Sequence, residues 1–118
     1  MTPDEFFEGH EESRCIFEAV RQAIAAIGPA DVRVTKSQVA FWREHGFAYL
    51  WMPDMYLSAP GSGVVLSIAL GRHEPSPRFK QVVHPRARQW LHHLEVHRPE
   101  EIDDQVASWL SEAADRAE

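Results

Sequence analysis

From Val32 the period of the chain changes to two, and the gaps between the extended runs that follow, as far as Val96, are too short for a parallel crossover helix. The middle of this chain is therefore limited to a mainly antiparallel sheet. Val39 and Phe41 alternate with Gln38, Ala40 and Trp42, and Phe47, Tyr49 and Trp51 alternate with Ala48, Leu50 and Met52. Arg43-Glu44-His45-Gly46 has the length and closing glycine of a hairpin turn, which makes these two strands neighbours. Val64 to Leu70 is almost wholly apolar and reads as a central strand covered on both faces. Pro75 and Pro77 break the next connection, and Phe79–His84 and Trp90–Val96 read as two more strands around Pro85-Arg86-Ala87-Arg88.

At both ends the period changes from two to 3.6. Thr2-Pro3-Asp4-Glu5 has the order of a capping box with proline at the first helical position. Ile16, Val20, Ala23, Ile24 and Ile27 then predict a helix from about Glu11 to Ile27, stopped by Gly28-Pro29. Pro99 is expected to open a closing helix with Ile102, Val106, Trp109, Leu110 and Ala113 as its apolar stripe. The expected class is α+β, a two-layer sandwich: one domain over residues 1–118, a sheet of about five strands, and both terminal helices on one face. The other face is left open to water, a ligand or a second copy of the chain.

Charge is laid out unevenly. Thirteen acidic residues lie in 1–28 and 99–118 against Arg14, Arg21 and Arg116, whereas 29–98 holds nine basic residues against five acidic ones. The formal net charge of −6 thus hides a basic middle between acidic helical ends. A chain that is 44% apolar and 25% charged is ordinary for a packed domain, which excludes intrinsic disorder. Its apolar runs fall well short of the roughly 20 residues that cross a bilayer. The single cysteine closes no intramolecular disulfide, and the first residues are acidic where a secretory leader would be basic, so a cytoplasmic setting is expected.

Few patterns point to a reaction. No glycine-rich phosphate loop precedes a helix, and no cofactor is expected. His93, Glu95 and His97 share one strand face, but residues four apart on a strand are separated by about 13 Å, too far for one ion, so no metal is expected. Cys15 has acidic neighbours and is expected to pack, and Ser37, Ser67 and Ser76 lack the setting of a nucleophile elbow. The remaining signal is a set of cations and imidazoles at strand ends and turns, for which Lys36, Arg43, Arg72, Lys80, His84 and His92 are the candidate ligand-binding residues. Guanidinium and ammonium groups beside Trp42, Tyr49, Trp51 and Trp90 suit a phosphate, a small anionic ligand or an acidic partner.

Three segments carry a resemblance. The helix exit Ile27-Gly28-Pro29 followed by Val34-Thr35-Lys36-Ser37-Gln38-Val39-Ala40-Phe41, then Phe47-Ala48, and the closing Ile102-Asp103-Asp104-Gln105-Val106 are similar to the bacterial family catalogued as domain of unknown function 5655. The likeness extends over nearly the whole chain and implies no activity. The expectation is a cytoplasmic binding or interaction module with an anion-accepting basic surface on the sheet, able to bind nucleic acid weakly and to form a homodimer. The alternative is a small enzyme with Lys36, Arg43, His84 and His92 in a polar pocket beneath the loop 53–63.

Overall fold

The computed structural model describes residues 1–53 and 63–118. The expected loop 53–63, beneath which the alternative reading sets a polar pocket, falls almost wholly on 54–62, outside the described residues.

Helix α1 (Pro3–Phe6) opens with the predicted capping box: the Thr2 hydroxyl accepts the Glu5 N–H at 3.2 Å, and the Glu5 carboxylate accepts the Thr2 N–H at 2.9 Å. Helix α2 (Glu11–Ala25) buries Ser13, Ile16, Phe17, Val20 and Ile24 along one face. It ends two residues earlier than its apolar spacing predicts. Cys15 lies off that face and is exposed, which corrects the packing role expected of it.

The strands are β1 (Asp31–Val34), β2 (Val39–Trp42), β3 (Gly46–Trp51), β4 (Val64–Leu70), β5 (Gln81–Arg86) and β6 (Gln89–Val96), ordered β1-β2-β3-β4-β6-β5 with every neighbour antiparallel. The sheet has six strands where the sequence suggests about five. The additional strand is β1, which pairs only with β2 and leaves Asp31, Val32 and Arg33 exposed, so no buried alternation marks it. All seven residues of β4 are buried, as its apolar run predicts. Phe79, expected on β5, instead precedes it and turns inward, with its ring 4.5 Å from Trp109 and 4.7 Å from His92.

Pro99 opens only a 3-10 turn, Pro99–Glu101, and helix α3 (Asp104–Arg116) begins after Asp103. The proline satisfies a helix-start pattern, but Ile102 has non-helical backbone angles and the Asp103 carboxylate is the group that accepts the Val106 N–H. Val106, Trp109, Leu110, Ala113 and Ala114 then pack with Val20 and Ile24 of α2 over Leu66, Ile68 and Leu70 of β4. Phe17 stacks on Phe41 at 6.0 Å and ties α2 to β2. No helix among the described residues is long and apolar enough to cross a membrane.

Candidate functional site

The six candidate residues are dispersed over the molecule. Lys36 is exposed in the turn between β1 and β2. Arg43 sits in the β2–β3 turn with only 11% of its side chain exposed, and it serves the ends of both long helices. It donates to the carbonyls of Ile27 at 3.2 Å, Pro29 at 3.1 Å and Ala114 at 3.4 Å, and to the Glu118 carboxylate at 2.8 Å. Helix C-termini leave carbonyls without partners and carry the negative end of the dipole, so a buried guanidinium is suited to both. Gly28, at φ 137°, provides the room: a Cβ there would stand 2.7 Å from the Arg43 guanidinium.

Arg72 grips Glu112 of α3 with two bonds of 2.9 Å and Glu74 with a third, and those carboxylates push its pKa up. Lys80 pairs with Glu95 at 3.0 Å. His84 is exposed on the edge strand β5, its ring stacked on Trp90 at 3.8 Å. His92 is fully buried on the helix-facing side of β6, where its Nδ1 lies 3.1 Å from the Trp90 carbonyl and its Nε2 accepts the Glu74 N–H at 2.9 Å. That pairing fixes the neutral ring with its proton on Nδ1. Burial holds its pKa below the ordinary histidine value.

The structure brings a different group of side chains together. At the end of the sheet where the β2–β3 turn, the β5–β6 turn and the last turn of α3 meet, a pocket of about 410 Å³ is lined by Trp42, His45, Tyr49, Arg86, Gln89 and Arg116, among others. Arg86 and Arg116 form no ion pair among the described residues, whereas Arg43, Arg72 and Lys80 are all paired to carboxylates. Arg116 is held in place by donating to the Arg88 carbonyl at 2.6 Å. Tyr49 lies across Gly46, whose missing side chain leaves space for the phenol oxygen, and a Cβ at that position would collide with it. Burial raises the Tyr49 pKa, so at neutral pH the phenol is a hydrogen-bond donor. Trp42 presents its ring with the Arg33 guanidinium 3.9 Å from the ring centroid.

Chemically, the pocket offers two guanidinium groups, a phenolic donor, the His45 imidazole and a flat aromatic wall, a set that receives oxyanions. Arg86 belongs to the basic middle legible in the sequence. Arg116 does not, because it sits in an acidic helical end and only the fold brings it round to the turns. Among the described residues no three His, Cys, Asp or Glu side chains are grouped as metal ligands.

The model of the family described as Domain of unknown function (DUF5655) matches residues 3–116. No curated protein and no solved structure matches the chain.

Proposed function

We propose that this chain, which belongs to the DUF5655 family, is a noncatalytic binding module that takes a small phosphate- or carboxylate-bearing ligand in the Arg86–Arg116 pocket. The observation that carries this reading is the pair of arginines with no carboxylate partner among the described residues, lining one cavity with the Tyr49 hydroxyl. An arginine already held by glutamate must give up that contact to take a ligand, and these two need not. The anion-accepting surface expected from the basic middle is thereby drawn in to a few residues at one end of the sheet. Short single-stranded nucleic acid remains within the proposal as a weak ligand, since a pocket with two arginines neutralises few phosphates.

The test is calorimetric titration of the intact chain with inorganic phosphate, citrate and a short single-stranded DNA, at low and physiological salt. The expected result is saturable binding of the small anions that weakens with salt and is lost in Arg86→Gln, a substitution at an exposed residue that leaves the unfolding midpoint in place. No binding of any of the three at low salt, or binding unchanged in Arg86→Gln, would overturn the reading. The proposal includes action in the cytoplasm, supported by the exposed thiol of Cys15, which a reducing compartment keeps free. It also includes a two-fold dimer through pairing of the edge strand β1, whose Val32 is exposed, which leaves the hollows of the open sheet face uncovered. Sedimentation equilibrium showing a monomer at high concentration would remove the dimer.

A further inference from the structure

At the opposite end of the same sheet face lies a second hollow, of about 460 Å³, walled by Trp51, Pro53, Val65, Lys80, His93 and Glu95. Three of these residues are apolar, and the others set an ammonium, a carboxylate and an imidazole beside them. The Lys80 Nζ stands 3.0 Å and 3.3 Å from the two Glu95 oxygens, so opposite charges already meet at this spot. Lys80 is 71% exposed and free to swing, while Glu95 is held closer to the surface at 31%.

His93 is positioned from behind. The Trp51 indole, which can only donate, gives its N–H to the Ser67 hydroxyl at 3.2 Å, and Ser67 Oγ lies 2.6 Å from His93 Nδ1. With Ser67 donating its O–H to Nδ1, all three groups of this hydrogen-bonded chain are satisfied, and the ring then carries its proton on Nε2. No group among the described residues accepts from that nitrogen. The Trp51 and His93 rings meet edge to face, with centroids 6.4 Å apart, which fixes the imidazole plane as well. Burial and the neighbouring His92 lower the His93 pKa, keeping the ring neutral at pH 7.

Ser67 does not act as a nucleophile here. It is 3% exposed and lies behind the hollow, and β4 is paired on both edges, which leaves no backbone N–H there to receive an oxyanion. Its part is to orient the imidazole.

We propose that this hollow binds a free α-amino acid with an apolar side chain. The carboxylate is received by Lys80 and the His93 Nε2–H, the ammonium by Glu95, and the side chain lies on Trp51, Val65 and Pro53. Charge complementarity selects the zwitterion. A lone carboxylate would draw Lys80 away and leave Glu95 facing a like charge, and a lone amine would leave Lys80 in the same position. A ligand with both signs exchanges one ion pair for two and adds no net charge.

The experiment is an NMR titration of the intact chain with L-leucine and L-phenylalanine, with isovalerate and 3-methylbutylamine as the single-charge arms, read at the Trp51 indole N–H and the His93 ring nitrogens. Saturable shifts with a dissociation constant of about 1 mM are expected for the two amino acids. Glu95→Gln and Lys80→Met each weaken binding about tenfold without lowering the melting temperature, because their pair is exposed. Ser67→Ala weakens binding and changes the His93 nitrogen shifts, since the proton no longer favours Nε2. Absence of saturable shifts, or equal binding of isovalerate or the amine, would overturn the proposal. It is independent of the arginine pocket: Arg86→Gln should leave amino-acid binding intact, and Glu95→Gln should leave phosphate binding intact.

Discussion

Two residues legible in the sequence as candidates for binding, Arg43 and His92, make structural contacts of their own. Arg43→Met removes the donor shared by three backbone carbonyls near the ends of α2 and α3, and a cost of about 1–3 kcal/mol in urea unfolding is expected. Lysine should not restore it, because one ammonium lacks the flat, forked geometry that reaches carbonyls on both helices. His92 makes stability depend on pH. Its folded pKa lies below the unfolded value of about 6.5, so its stabilising effect is complete above that value and declines as pH falls through it toward the lowered folded pKa. Protonation of Nε2 would set that nitrogen against the Glu74 N–H, with His73 and Arg72 adding positive charge nearby. The urea midpoint should therefore be lower at pH 5.5 than at pH 7.5. In His92→Gln the difference should shrink but persist, since the His93 pKa is also lowered. An equal pH slope in parent and variant would exclude His92 as the source.

At the level of elements, the cap of α3 is the sharpest case. Asp103 accepts the Val106 N–H and also receives two bonds from the Arg78 Nη1 at 3.0 Å, and these contacts hold its carboxyl below the ordinary aspartate value despite partial burial. Asp103→Ala should cost about 1 kcal/mol or somewhat more, measured as a shift in the unfolding midpoint. The helix itself was legible from Val106, Trp109, Leu110 and Ala113, but its first turn was not: Pro99 and Asp103 both carry start signals, and the backbone of Ile102 decides between them. In the same way β2 and β3 follow from alternation and β4 from its unbroken apolar run, whereas β1 is hidden because an exposed edge strand needs no apolar face. The site was less legible than the fold. Register alone sets Ser67 opposite both Tyr49 and His93, and the strand order that creates this register is a long-range property no local pattern records.

Over the whole molecule, the uneven charge of the sequence resolves into local neutralisation. Arg72 joins Glu112, Arg78 joins Asp103, and Arg43 joins Glu118, so cations of the basic middle are spent binding the sheet to the acidic closing helix. In the binding roles proposed for this chain, ligands meet the sheet at its two ends. The β2–β3 turn is the strongest of these joints. Besides Arg43, the backbone N–H groups of Glu44 and His45 both donate to the Ala117 carbonyl, at 3.0 Å and 3.1 Å. A segment near the middle of the chain thereby seals the last turns of two helices that are remote from each other in sequence. The consequence is one of cooperativity: neither helix end can fray while the turn is docked, and undocking it releases both. Amide hydrogen exchange in the final turns of α2 and α3 should then proceed through one shared opening, with matched protection that falls together in Arg43→Met.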